Sequence, residues 1–217
     1  MPRFLFLYWT PGACGDIIHS MLLLGKKVES FYGFKEINVH ARTRLTRAHD
    51  IAFTYNSVYT DEDIEAYEKI QSKKIFLIPT HKIENLCKIK LKFGKAVETV
   101  CVKFSEDDFD FIQQSIVNKV YSMDKEILEN YKKIIPAKYI DKMIEDNEYK
   151  NYLLKQLKKS NWPATELEIL ENNNFDHHIT IQDIFNCDVK IKDYFNEDSF
   201  ILLKQWIDKN KICRYTN

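Results

Sequence analysis

Four places in this chain hold residues whose types and spacing could do chemistry. The first is Pro11-Gly12-Ala13-Cys14-Gly15-Asp16, set between an apolar run and an amphipathic one. Glycines let backbone N–H groups converge on one point and let an anion approach without meeting a side chain. A helix starting there adds the partial positive charge of its N-terminus. The stretch is a candidate cradle for phosphate or sulfate, and the same glycines would also suit a plain strand-to-helix corner. Asp16 would repel an anion unless it caps the helix by accepting from its first N–H groups. No Lys-Ser or Lys-Thr follows, so this is not a Walker A loop. A third glycine is missing, so it is not the dinucleotide fingerprint.

The second place is His81, directly after the apolar run KKIFLIPT. A histidine near neutral pKa can take a proton from a hydroxyl; a strand-end histidine can also simply be solvated. The third is the segment HARTRLTRAHD, with Arg42, Arg44 and Arg47, three of the chain's five arginines. They could ring an anion or face solvent. The fourth is Lys103 with Ser105, where a strand hands over to a helix. Lys103 could meet a phosphate; Ser105 suits an N-cap as well as a ligand contact.

Other residues carry less. His177 and His178 precede a strand, and neighbours on a strand point to opposite faces, so they do not readily share a metal. No metal is expected. Asp183 suits an N-cap. Trp162, Trp206 and the tyrosines suit packing. The five cysteines (Cys14, Cys87, Cys101, Cys187 and Cys213) are scattered, odd in number and without a C-x-x-C pair. That argues against a disulfide framework or zinc site and for thiols in a reducing compartment.

The elements that must position these groups follow from periodicity. Residues 3–9 are continuously apolar, as in a strand buried on both faces. From Asp16 the pattern is helical and ends at Gly25. Residues 33–60 are ambiguous. A short acidic-start helix covers 61–72, a strand 73–81, and a helix with a turn at Gly94 follows. Residues 97–104 alternate and are β-branched, a further strand. Ser105 then caps a helix whose face is Phe109, Ile112, Ile116 and Val120. Residues 124–160 read as two helices broken near Pro136, stopped by Asn161-Trp162-Pro163. A short strand, a turn with Asp183 and a final helix over 200–211 complete the chain. Strands alternating with helices predict an α/β fold with a mostly parallel central sheet, in a single domain with a helical insertion about 124–175.

Composition bounds the rest. Of 217 residues, 45% are hydrophobic and 29% charged, and Lys+Arg and Asp+Glu are both 32. Zero net charge argues against broad coating of nucleic acid, though not against a local basic pocket. No signal peptide is expected. No apolar run reaches the ~18–20 residues a membrane helix needs, so a soluble, cytoplasmic protein is expected.

Three segments in order resemble the P-loop-like sulfotransferases. The first strand with its glycine turn is similar to that family's 5′-phosphosulfate loop. KKIFLIPTHK resembles its Lys-Thr-His-Leu-Pro strand end, and VETVCVKFSEDDFDFIQQS its stretch for the nucleotide 3′-phosphate. Late in the chain, ITIQDIFN and the helix with Trp206-Ile207 resemble divergent members, many of them viral. The resemblance implies a three-layer fold and sulfuryl transfer from 3′-phosphoadenosine-5′-phosphosulfate to a hydroxyl or amine of a small molecule or glycan, leaving 3′,5′-adenosine bisphosphate. It implies that Pro11, Gly12, Ala13, Cys14, Gly15 and Asp16 wrap the phosphosulfate. Lys103, Ser105 and Arg42 would hold the 3′-phosphate, and His81 would be the base. Several positions depart from the pattern: Ala13 stands where many members have lysine, Asp16 and Ile17 where they have hydroxyl residues, Lys103 for arginine and Phe111 for serine. The alternative is an inactive relative that serves in binding or assembly, for instance in a virus particle, and then has protein partners. A phosphoryl-transfer enzyme is disfavoured by the absent Walker lysine and magnesium pair.

Overall fold

Every residue of FLFLYW is buried, and the run forms β1 (Phe4–Trp9) at the centre of the main sheet. The computed structural model describes residues 3–25, 27–30, 32–33, 46–47, 58–121, 147–189 and 191–210. After β1 come α1 (Gly15–Leu24), β2 (Val28–Glu29), β3 (Tyr32–Gly33), β4 (Thr46–Arg47), α2 (Asp61–Glu68) and β5 (Ile75–Thr80). Then follow α3 (Ile83–Phe93), β6 (Val97–Lys103), α4 (Phe109–Tyr121), α5 (Asn147–Lys159), α6 (Trp162–Asn172), β7 (His177–Thr180), α7 (Ile181–Phe185) and α8 (Glu197–Asn210). The five-stranded sheet has the order β2-β5-β1-β6-β7, and all its pairings are parallel. β3 and β4 form a separate antiparallel pair.

Handedness explains the layers. The chain leaves β1 toward the β2 edge, whereas the crossovers β2–α2–β5, β5–α3–β6 and β6–α6–β7 run the other way. Parallel crossovers are right-handed, so α1 must lie on one face and α2, α3 and α6 on the other. The contacts agree. Phe4 meets the rings of Tyr67 in α2 and Phe93 in α3, and Tyr8 stacks on Phe175 just after α6. Trp9, which points the opposite way, packs on Gly15 of α1. On that second face α8 docks on α1. Ser199 Oγ donates to the Met21 carbonyl at 2.8 Å, alongside the Gly25 N–H, and Asn196 Nδ2 donates to the Leu24 carbonyl at 3.0 Å at the end of the helix.

Three expectations change. The helix expected over 61–72 ends at Glu68. Asn161-Trp162-Pro163 does end α5, but it also begins α6: Pro163 sits in its first turn, where a missing N–H costs nothing. The turn at Asp183 is the short helix α7, capped by Thr180, whose Oγ1 accepts from Asp183 N–H. The break near Pro136 lies outside the described residues. Among the described residues no helix is long and apolar enough to cross a membrane.

Candidate functional site

The chain leaves β1 toward one edge of the sheet and β6 toward the other, so the topological switch lies between them. In open α/β sheets, ligands bind beyond the carboxyl ends of strands at such a point. Three of the sequence-derived candidates are gathered there: the loop 11–16 after β1, His81 after β5, and Lys103 at the end of β6.

The loop is built from two local rules. Pro11 and Gly12 occupy the middle of a turn closed by Ala13 N–H donating to the Thr10 carbonyl at 2.9 Å. Gly12 has φ +89°, so the turn is of the type that favours proline then glycine. Gly15 has a different reason. A Cβ there would lie 2.0 Å from Cγ of Trp9, whose ring covers the start of α1. Ala13 is buried. Cys14, the N-cap residue, is left-handed at φ 62° and its side chain makes no capping bond. Asp16 lies in the first turn of α1.

His81 completes this corner. β5 ends opposite Tyr8, so the Trp9 carbonyl extends past its neighbouring strand. His81 Nδ1 lies 2.6 Å from that carbonyl, and the two rings meet edge to face at 4.5 Å. A carbonyl only accepts, so Nδ1 carries the hydrogen and Nε2 of the neutral ring carries the lone pair. The segment beneath is tied down by buried groups absent from the sequence reading. Thr80 Oγ1 accepts from Asn85 Nδ2 at 2.9 Å and from Lys82 N–H at 3.0 Å, and Asn85 Oδ1 accepts from Tyr59 N–H at 2.7 Å.

The opposite face of the same edge is also polar. Tyr8 and Thr10 both donate to Glu166 Oε2, at 3.0 and 3.1 Å. Burial, with Glu166 beside it, drives the Tyr8 phenol far above its usual range. Cys101 and His178 are register partners on β6 and β7, with Sγ 3.1 Å from Nδ1. Lys103, half-buried two residues on, acts electrostatically on both. It therefore belongs to the α6 side of the sheet, whereas His81 and Trp9 belong to the α1 side.

No family model, curated protein or solved structure matches this chain.

The remaining candidates part company. Ser105 donates to Asp108 Oδ2 at 3.1 Å, and its N–H reaches the same oxygen at 2.9 Å, the arrangement of a cap. Arg47 pairs with Tyr32 in the β3–β4 ribbon, while Arg42 and Arg44 lie outside the described residues. His177 and His178 take partners on opposite faces, Glu98 and Cys101 respectively. Nothing in the local sequence announces Glu166 or Asn85 as partners of this edge: Glu166 lies 158 residues from Tyr8, and Asn85 26 from Tyr59.

Proposed function

We propose that the carboxyl edge of β5, β1 and β6 binds an anionic nucleotide, and that its chemistry is sulfuryl transfer from 3′-phosphoadenosine-5′-phosphosulfate to a hydroxyl or amine. One observation carries this reading: His81 is oriented by the Trp9 carbonyl so that Nε2 is its proton acceptor, beside a glycine loop that opens a helix. The donor would supply the sulfuryl group and a nucleotide bisphosphate that leaves with the bridging oxygen. The chain supplies the rest. His81 Nε2 takes the acceptor's proton as its oxygen or nitrogen bonds to sulfur. The N-terminal turn of α1, which gets no bond from the Cys14 side chain, offers backbone N–H groups and a helix dipole to the anion. Lys103 faces the nucleotide's distal phosphate. Positive groups and backbone dipoles aimed at developing charge are the usual means of stabilising such transfers.

A second reading has its own observation. Ala13 is buried with its N–H in the turn, Gly12 takes the positive φ of that turn with the Ile112 carbonyl where a Cβ would be, and Trp9 seals Gly15, so both glycines have a structural reason. That favours a protein of similar architecture that binds or assembles without catalysis.

Calorimetry with 3′,5′-adenosine bisphosphate separates the two. Micromolar binding that survives in His81→Asn, with loss of transfer in an acceptor panel, supports the enzyme. Binding without sulfated product from any acceptor supports the second reading. Absence of binding at millimolar ligand overturns the nucleotide site.

A further inference from the structure

His178 stands in register with Cys101 on the neighbouring strand, and their polar atoms are 3.1 Å apart. Cys101 is fully buried, and burial pushes its thiol up to about 12, so the sulfur keeps its hydrogen near neutral pH. The thiol has a hydrogen to give, and the imidazole nitrogen is the stronger acceptor of the two atoms, so His178 Nδ1 accepts. The proton of the neutral imidazole must then sit on Nε2, directed away from the buried sulfur. His178 is exposed, so this N–H faces the solvent side of the sheet edge. Lys103, two residues after Cys101 on the same face of β6, brings an ammonium to the same place.

The surroundings leave this spot electropositive. Lys103 and His177 both act on His178 as like charges and, after burial, hold its pKa below the ordinary histidine value. The nearby carboxylates have other work. Glu166 accepts from Tyr8 and Thr10, Asp183 from the Thr180 N–H, and Asp176 from Thr99. Phe175 closes the inner side, its ring 6.3 Å from that of His178.

We infer that Lys103 and the Nε2–H of His178 form an oxyanion seat at the carboxyl ends of β6 and β7, taking a phosphate or sulfate group, with Cys101 as the positioning residue that fixes the imidazole tautomer. The seat deepens the reading above, since it would hold the ligand's distal phosphate, and to that extent rests on it. A neutral imidazole already donates one hydrogen bond there, and its protonated form adds charge, so binding strengthens as pH falls through the histidine range.

The test uses the full chain with histidine imidazoles labelled in nitrogen and followed by NMR, with inorganic phosphate as the probe. Before any phosphate, the His178 nitrogens must report Nε2–H; the Nδ1–H form would overturn the positioning role. Added phosphate must raise the His178 pKa. Lys103→Met and His178→Phe should each weaken phosphate about tenfold, the scale of one lost charge-assisted hydrogen bond. Cys101→Ser, which keeps a donor, should preserve tautomer and affinity, whereas Cys101→Ala should lose both. A phosphate response at His81 with none at His178 overturns the seat and leaves the nucleotide reading standing. Adenosine bisphosphate binding unchanged in Lys103→Met and His178→Phe also overturns the seat, without touching the role of His81.

Discussion

His81 and His178 occupy the same end of one sheet, on opposite faces, and are set for opposite work. His81 gives its Nδ1 hydrogen to the Trp9 carbonyl and keeps a basic Nε2. His178 receives a hydrogen at Nδ1 from the Cys101 thiol and keeps a donor at Nε2. The difference lies in what each strand offers its neighbour. β1 outruns β5, so a backbone acceptor is left for His81. β6 and β7 run together through Lys103 and Thr180, so the strand backbones beside His178 are paired with each other and its partner is a side chain. Residue type is identical in the two cases; register decides which is a base and which a donor.

The largest effect is expected from breaking the first region. Gly15→Val would drive a branched side chain into the Trp9 ring, where even a Cβ comes within 2.0 Å. Overpacking of this kind costs about 3 kcal/mol, and more if Trp9 must leave a site where it is 1% exposed. Thermal unfolding should show the loss, and the His81 imidazole signals should change with it. If the Cys101–His178 pair is an independent arrangement, its tautomer signature should persist in whatever fraction stays folded. Unaltered stability would mean that the Trp9 lid on α1 does not exist.

These two regions were unequally legible in sequence. The strand–glycine–helix run at 4–24 announced β1, its turn and α1, because apolar continuity and glycine act locally. The α/β class followed from alternating elements, and the five-stranded parallel sheet agrees with it. What the local pattern could not carry was pairing at a distance. The function of Gly15 depends on the rotamer of Trp9, and the tautomer of His178 on a cysteine 77 residues earlier. α6 was hidden behind Pro163, which reads as a terminator until its place in the first turn is known. Arg42, Arg44 and the break at Pro136 lie outside the described residues, so those readings stand as sequence readings alone.

A third histidine sharpens the comparison from beneath. His19 lies in α1, one turn beyond Gly15, wholly inside the protein. Burial lowers its pKa to about 4, against a lesser opposing pull from Asp16. The unfolded chain, with a histidine near 6.5, therefore binds the proton more readily than the folded one. The His19 contribution is complete above about pH 6.5, declines as pH falls toward 4 and levels off below, for a total of roughly 3 kcal/mol. His19→Leu should flatten that limb of the pH–stability curve measured by denaturant unfolding. A wild-type curve already flat between these values would show that His19 is solvated and that this part of α1 is not a dry core.

The smallest effect belongs to the second region and discriminates most finely. Lys103 is the second cause, after burial, of the low His178 pKa. Lys103→Met keeps most of the side-chain volume and removes the charge. In the absence of any anion, the His178 pKa should rise but stay below the ordinary histidine value, because burial and His177 still disfavour the imidazolium. The His81 titration should not move, since Lys103 belongs to the other face of the sheet. Added salt screens a half-buried charge in part, so the wild-type and Lys103→Met titrations should draw closer as ionic strength rises. An equal shift at both histidines would mean that Lys103 reaches over the strand ends into the His81 corner. The base and the anion seat, the two ends of one ligand site, would then be coupled electrostatically through Lys103 rather than kept apart by the sheet.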